Sequence, residues 1–253
     1  MKVCVLASGS KGNSTCFITD ESINLIDIGI NTTYIEKKLS EIGINAKNID
    51  NIFLTHTHAD HISGLKVFLK KYRPKVYLTK GMYNEIYKET KLYDYEIIND
   101  DFYINNLYVQ IIKTSHDAPD SVGYIFTNND SSFVYITDTG YINVRNHNKL
   151  LNKNLYIIES NHDINLLMNG KYPYYLKQRI LGDKGHLSNK DSATYLSKFI
   201  GSDTKKIILA HLSEENNNKE IVLTTFKQYL KQIKTEDIII AEQNDKTEVV
   251  EVW

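Results

Sequence analysis

Three histidines and an aspartate fall within the six residues His56-Thr57-His58-Ala59-Asp60-His61. Imidazole and carboxylate are the donors that zinc, manganese and iron accept. Ile52-Phe53-Leu54, just before the motif, reads as the end of a buried strand, and a helix is predicted over about residues 60–71 after it. On an extended backbone His56 and His58 point to the same side. Asp60 and His61 then fall where strand turns into helix, which aims them at a second point close by.

The same pairing of strand end and donor recurs along the chain. The alternating strand predicted at 107–114 runs into Ser115-His116-Asp117, that at 132–137 into Asp138-Thr139-Gly140, and that at 207–210 into His211. Loops converge at strand ends in layered α/β structures, so donors at the same end of four strands imply one site. Asp27 ends a further strand in Asp-x-Gly, where it can hydrogen-bond the backbone or orient a ligand imidazole. Glu159-Ser160-Asn161-His162 follows the strand at 155–159, and Gly185-His186-Leu187-Ser188 precedes a helix at 188–199 with Ser188 and Asp191 placed as a cap. A helix start of this kind favours a phosphate through its free N–H groups and dipole. His162 either approaches the site or His186, or caps the helix starting at Asp163. His147 has no strand-end context and reads as a surface residue.

The elements that must hold these residues alternate between strand and helix. Strands at 3–7 and 16–19 are joined by Ser8-Gly9-Ser10-Lys11-Gly12-Asn13-Ser14. This loop looks like a phosphate cradle but lacks the Gly-Lys-Ser/Thr ending, and no helix follows it. It is either a flexible connection or a loop that also lines the site. Helices are predicted at 32–42, 60–71, 81–89, 188–199 and 219–233, with 164–182 helical but broken at Gly170 and Pro173. No repeat, low-complexity segment or linker interrupts the chain, and both halves run strands into helices. The expectation is a single domain over residues 1–253, two sheets face to face with helices outside.

Composition narrows the class. In 253 residues, 42% are hydrophobic and 24% charged, ordinary for a globular protein, and the formal net charge is -1. No global positive field advertises nucleic acid, so any basic footprint must be local. Lys66, Lys70, Lys71, Arg73 and Lys75 follow the metal motif as a solvated face. Lys177, Arg179 and Lys184 are interleaved with Tyr172, Tyr174 and Tyr175, where bases can stack while cations hold phosphates. Cys4 and Cys16 lie in apolar runs and read as reduced core thiols, which fits a cytoplasmic protein. No stretch is long and apolar enough for a signal peptide or a membrane span, so no membrane partner is expected.

Taken together, His56-Thr57-His58-Ala59-Asp60-His61, an isolated His116, an isolated Asp138 and an isolated His211 resemble the metallo-β-lactamase superfamily over nearly the whole chain. Ala7–Ser14, Gly185-His186-Leu187-Ser188-Asn189 and His211-Leu212-Ser213-Glu214-Glu215-Asn216-Asn217 look most like its bacterial YycJ/WalJ group of DNA exonucleases. The resemblance implies an α/β fold, a four-layer αββα sandwich of two mixed sheets. It also implies two divalent metal ions, zinc or manganese with iron as an option. His56, His58 and His116 match the first metal site, Asp60, His61 and His211 the second, and Asp138 the bridging carboxylate. A metal-bridging hydroxide would attack phosphorus, with Asp60 orienting it. His186 resembles the histidine that donates a proton in the tRNA 3′-processing nucleases of the superfamily, with Glu159 to orient it.

Three classes remain open on the residues. The first is a phosphodiesterase, with DNA ahead of RNA or a cyclic phosphodiester. The second is an acyl hydrolase such as a thioesterase or lactonase, and the third a metal-binding regulator without activity. The intact set of donors argues against the third, and the Glu159–His186 pair favours the first. Oligomeric state is open, with a homodimer among the options.

Overall fold

The apolar runs pair into two seven-stranded sheets, seen in a computed structural model that describes residues 1–253. The first sheet takes β1 (Lys2–Ala7), β2 (Ser14–Ile18), β3 (Ile23–Ile26), β4 (Asn51–Phe53), β5 (Lys75–Leu78) and β6 (Tyr95–Ile97). The second takes β7 (Phe102–Ile104), β8 (Leu107–Lys113), β9 (Val122–Asn128), β10 (Ser131–Ile136), β11 (Leu155–Glu159), β12 (Lys206–Ala210) and β13 (Ile238–Ile240). The last strand, β14 (Val250–Glu251), returns to the first sheet, giving the orders β14-β1-β2-β3-β4-β5-β6 and β13-β12-β11-β10-β9-β8-β7. β3 to β6 and β10 to β13 pair in parallel and the remaining neighbours antiparallel, so both sheets are mixed.

Side-chain alternation along the parallel strands decides the layers. In β12, Ile208 and Ala210 join the core between the sheets, while Ile207 and Leu209 join a second core on the outer face. β10 divides the same way, with Phe133 and Tyr135 inward and Val134 and Ile136 outward. Strands buried on both faces need continuous apolar sequence, as these have. Across the inner layer Phe17 of the first sheet meets Phe126 of the second at 4.5 Å between ring centroids, and Phe53 meets Phe126 at 5.0 Å.

Helices cover the outer faces. α1 (Thr32–Glu41), α2 (Ala59–Ile62), α3 (Leu65–Tyr72) and α4 (Lys80–Ile86) belong to the first half of the chain. α5 (His147–Leu150), α6 (Ile164–Asn169), α7 (Tyr174–Leu181), α8 (Asn189–Phe199) and α9 (Lys219–Tyr229) belong to the second. Ala193, Leu196 and Phe199 of α8 and Val222 and Phe226 of α9 fill the outer core against the second sheet. No helix is long and apolar enough to cross a membrane.

Three local readings change. The helix expected over 60–71 is two helices, because the Gly64 N–H leaves the helical ladder to bond the Ile28 carbonyl oxygen at 2.9 Å, where the chain crosses the loop after β3. A Cβ on Gly64 would lie 2.1 Å from the Ile30 carbonyl oxygen. β6, β7 and β14 had no sequence signal, being two or three residues long and partly exposed. His147 is half-buried rather than a surface residue: it opens α5, and its ring stands edge-on to Phe199 at 5.1 Å between centroids.

Candidate metal centre

Every strand-end donor reaches the same edge of the sandwich. Donor atoms of His56, His58 and His116 lie within 4.8 Å of one another, and so do those of Asp60, His61, Asp138 and His211. Asp138 stands between the groups, with Oδ1 3.9 Å from His116 Nε2 and Oδ2 3.1 Å from His61 Nε2. His58 Nδ1 and His116 Nε2 approach to 3.2 Å. Asp138, at φ 56°, and His211, at φ 55°, both adopt the left-handed backbone conformation that L-residues rarely take. Asp27 does the same at φ 59°, immediately after β3.

Each imidazole of the two groups is fixed through its other nitrogen. His56 Nδ1 faces Thr55 Oγ1 at 3.1 Å, His61 Nδ1 faces Asp27 Oδ2 at 2.7 Å, and His211 Nδ1 faces Glu159 Oε1 at 3.0 Å. His116 Nδ1 lies 3.3 Å from the Gly185 carbonyl oxygen, and His58 Nε2 lies 3.5 Å from Asp117 Oδ1. Histidines that ligate metals are characteristically held this way, because the outer hydrogen bond sets ring orientation and tautomer.

The residues fit divalent cations on evidence internal to the chain. His56 Nε2 and Asp138 Oδ2 are buried and have no hydrogen-bond partner. The 3.1 Å approach of His61 Nε2 to Asp138 Oδ2 is a contact without hydrogen-bond geometry. Buried lone pairs left unpaired cost free energy, and a cation offsets that cost. Seven nitrogen and oxygen donors with no thiolate suit zinc, manganese or iron better than a soft-metal site.

Next to the donors stands a second constellation. Glu159 is fully buried; its Oε1 accepts from His186 Nδ1 at 2.7 Å, and its Oε2 accepts from the Thr139 and Leu187 N–H groups at 3.2 and 3.1 Å. Burial alone would raise the Glu159 carboxyl, but the charge and hydrogen bonds of His186 and His211 hold it down at about 2. Burial likewise works against a charged His186, yet Glu159 outweighs it and the imidazole is raised above its ordinary range. His186 Nε2 has no partner in the chain, and the ring lines the open cleft.

Of the roles open to His162 from sequence the helix cap is not taken, and the ring lies within electrostatic reach of Glu159 and His186. Asp163 Oδ1 caps α6, accepting from the Asn165 and Leu166 N–H groups. The His162 ring is 1% exposed, and neither nitrogen has a partner. Burial pushes it down to about 4.

The cleft, of about 240 Å³, is lined by the donors together with Ser10, Asn161, Tyr172, Leu176, Arg179, Ile180 and Ser213. A larger groove of about 430 Å³ beside α1, lined by residues such as Glu36 and Tyr72, has no converging donors. The loop from Ser8 to Asn13 takes the second of its two readings and lines the site. Ser8 Oγ accepts from the His211 N–H at 2.7 Å, and fully buried Asn13 donates from Nδ2 to Asp60 Oδ2 at 3.3 Å. Asn13, Asp117 and Arg179 had no separate role in the sequence reading. A glycine-rich loop ending in Asn, and an Asp directly after a donor His, were the available signals. The basic cluster before His186 is largely committed within the chain: Lys177 Nζ donates to the Met168 and Gly170 carbonyl oxygens, and Arg179 pairs with Asp117.

Comparison with known proteins agrees with this architecture. The beta-lactamase superfamily domain matches residues 25–211. Exodeoxyribonuclease WalJ of Streptococcus pneumoniae (serotype 2, strain D39) is 38% identical over 240 residues, covering 91% of this chain and 88% of that protein. Exodeoxyribonuclease YycJ of Bacillus anthracis is 36% identical over 233 residues, covering 90% and 88%. Among solved structures, the metallo-β-lactamase fold protein YhfI of Bacillus subtilis superposes with a TM-score of 0.69 at 15% identity, over 98% of this chain and 99% of that one. The chain belongs to the metallo-β-lactamase superfamily and, within it, to the group that contains WalJ and YycJ.

Proposed function

We propose that this chain is a divalent-metal-dependent phosphodiesterase acting on DNA as an exonuclease. His56, His58 and His116 would hold one ion and Asp60, His61 and His211 a second, with Asp138 shared. Zinc or manganese is the expected metal. When bound, such ions neutralise phosphate charge and lower the pKa of a water so that it can act as nucleophile at neutral pH.

The observation that carries the reading is the buried Glu159 bonded to His186 at 2.7 Å beside the metal donors. Breaking a phosphodiester expels an alkoxide, which needs a proton at the moment of cleavage. Glu159 holds Nδ1 of His186 and favours the protonated ring, so Nε2 is left to deliver a proton into the cleft. Asp60 is half-buried at the cleft and would orient the attacking water, while Asn13 donates to Oδ2, the same carboxylate oxygen that faces His61 and His211. Thioester or lactone hydrolysis has less need of an acid placed this way. The likeness to relatives named exodeoxyribonuclease supports DNA as the polymer.

The test is a side-by-side assay of protein loaded with zinc or manganese on end-labelled DNA, RNA, bis-p-nitrophenyl phosphate and a thioester. Stepwise shortening of the DNA is expected. Turnover of the thioester alone would overturn the proposal in favour of an acyl hydrolase.

A further inference from the structure

Arg179 is the one Lys or Arg side chain lining the cleft, and neither the metal donors nor the Glu159–His186 pair accounts for it. It lies in α7, a helix with no buried residue, whose Leu176 and Ile180 join it on one wall. Its Nε and one terminal nitrogen both reach the same oxygen, Asp117 Oδ2, at 2.7 Å each. Asp117 Oδ1 is turned to the metal donors instead, 3.5 Å from His58 Nε2 and 3.4 Å from His116 Nε2. A guanidinium carries five N–H donors and pairs most strongly when it spans two oxygens of one anion. Here it spans only one, and its side chain remains 56% exposed.

Asp117 thus anchors Arg179 without using its full donor set. The remaining N–H groups have no acceptor in the chain. The Asp117 carboxylate stands between the guanidinium and His116 Nε2, so Arg179 is set back along the cleft from the place where a scissile phosphate would sit. Its rigid planar fork is suited to a phosphate oxygen pair. Lys177 cannot substitute for it, since its ammonium is taken up by the Met168 and Gly170 carbonyl oxygens.

We propose that Arg179 binds the phosphate neighbouring the scissile one, so that α7 selects a nucleic-acid strand over an isolated phosphodiester. This inference rests on the phosphodiesterase reading of the same site. It makes Arg179 a specificity residue, with Asp117 holding the guanidinium in register with the metal donors.

Arg179→Gln and Arg179→Lys are to be compared with the wild-type protein, each loaded with manganese. The substrates are a labelled single-stranded oligodeoxynucleotide and bis-p-nitrophenyl phosphate, which has no neighbouring phosphate. Arg179→Gln is expected to lower kcat/KM on the oligonucleotide at least tenfold more than on bis-p-nitrophenyl phosphate, chiefly through KM. Oligonucleotide affinity, read by fluorescence anisotropy, should fall with it. The slope of log affinity against log salt should become shallower by about 0.7, one phosphate contact on a single strand. Arg179→Lys, which keeps the charge, should restore that slope but only part of the affinity. Equal losses on both substrates, a fall in metal content, or unchanged oligonucleotide affinity and slope would each overturn the proposal and make Arg179 a brace for α7. If wild-type protein cleaves neither phosphodiester, the function reading fails on its own, and the binding comparison still decides the role of Arg179.

Discussion

Asp27 Oδ2 and His61 Nδ1 are 2.7 Å apart, and both side chains are completely excluded from solvent. The same carboxylate receives the Thr55 N–H on Oδ1 at 2.8 Å and the Thr55 hydroxyl on Oδ2 at 2.7 Å. One aspartate just after β3 therefore fixes both the residue that precedes the histidine motif and the one that ends it. Asp27→Asn keeps the shape but removes the charge. The expected result is a 10–100-fold weaker affinity for the second metal per chain, with the first retained. Metal analysis after equilibrium dialysis reads this directly, and two tightly held ions in the variant would contradict it.

His186→Ala and Glu159→Gln should separate two functions of one dyad. His186→Ala is expected to cut phosphodiester turnover by about 10²–10⁴-fold with metal content near normal. Glu159→Gln should lose comparable turnover and also weaken metal binding, because Glu159 Oε1 is 3.0 Å from His211 Nδ1 as well. Single-turnover rates with parallel metal analysis make the comparison. A drop in metal for His186→Ala would show that His186 is a ligand or a prop.

His162 predicts a pH dependence of stability. Its folded pKa is depressed to about 4 from 6.5 by burial, so between those values the unfolded chain binds a proton that the native chain does not. Stability then rises with pH across that window. The contribution is complete above about 6.5, declines as pH falls, and is gone below about 4. A shift of this size is worth up to about 3 kcal/mol. His162→Leu should flatten the slope of urea-unfolding free energy between pH 4 and 6.5. An unchanged slope would mean that His162 is protonated, or bound to water, in the native protein.

Asn13 ties the first loop to the motif. Besides Asp60 Oδ2 it bonds the Gly9 N–H at 2.8 Å and the Gly9 carbonyl at 3.0 Å, entirely out of solvent. Asn13→Ala would leave the Gly9 N–H unpaired, at about 1–3 kcal/mol, while the Gly9 carbonyl keeps the Gly12 N–H at 3.1 Å. Lower unfolding free energy together with weakened binding of the second metal is expected. A loss of stability alone, with both metals held as tightly as before, would confine Asn13 to the loop.

Gly29 sets a steric limit at the same place. An added Cβ would lie 1.7 Å from the Asp60 carbonyl oxygen, with Asn13 N at 2.7 Å, and no side-chain rotation relieves a clash with backbone. Gly29→Ala should displace α2, costing several-fold in metal affinity and visibly lowering the melting temperature. Wild-type values for both would show that the loop yields freely.

His56, His116, Asp138 and His211 were legible as candidate donors because each follows an apolar run, whereas Asp60 and His61 lie in α2 and were legible only through the motif they share with His56 and His58. The paired sheets followed from the same runs. What was not legible is contact between distant segments. Asn13 meets Asp60 across 47 residues, Glu159 meets His211 across 52, and Arg179 meets Asp117 across 62. None of these has a local pattern, since one polar residue in a loop looks like any other until the fold supplies its partner. The short strands β6 and β7 escaped for a different reason: they are stabilised by neighbours rather than by an apolar face of their own.

Asp27, Asp138 and His211 share a left-handed backbone that glycine would adopt more easily. At each of these positions the chain prefers a functional side chain to a relaxed turn, a cost of order 1 kcal/mol or more apiece. A selection for heat resistance that ignored activity would therefore favour glycine at Asp138 and His211, dismantling the metal centre, but would keep Asp27, whose carboxylate satisfies His61 and Thr55. Descendants of this protein that had lost their chemistry would be recognisable by that exchange. Such a chain would keep both sheets and the same outline, with Asp138 and His211 gone from the strand ends.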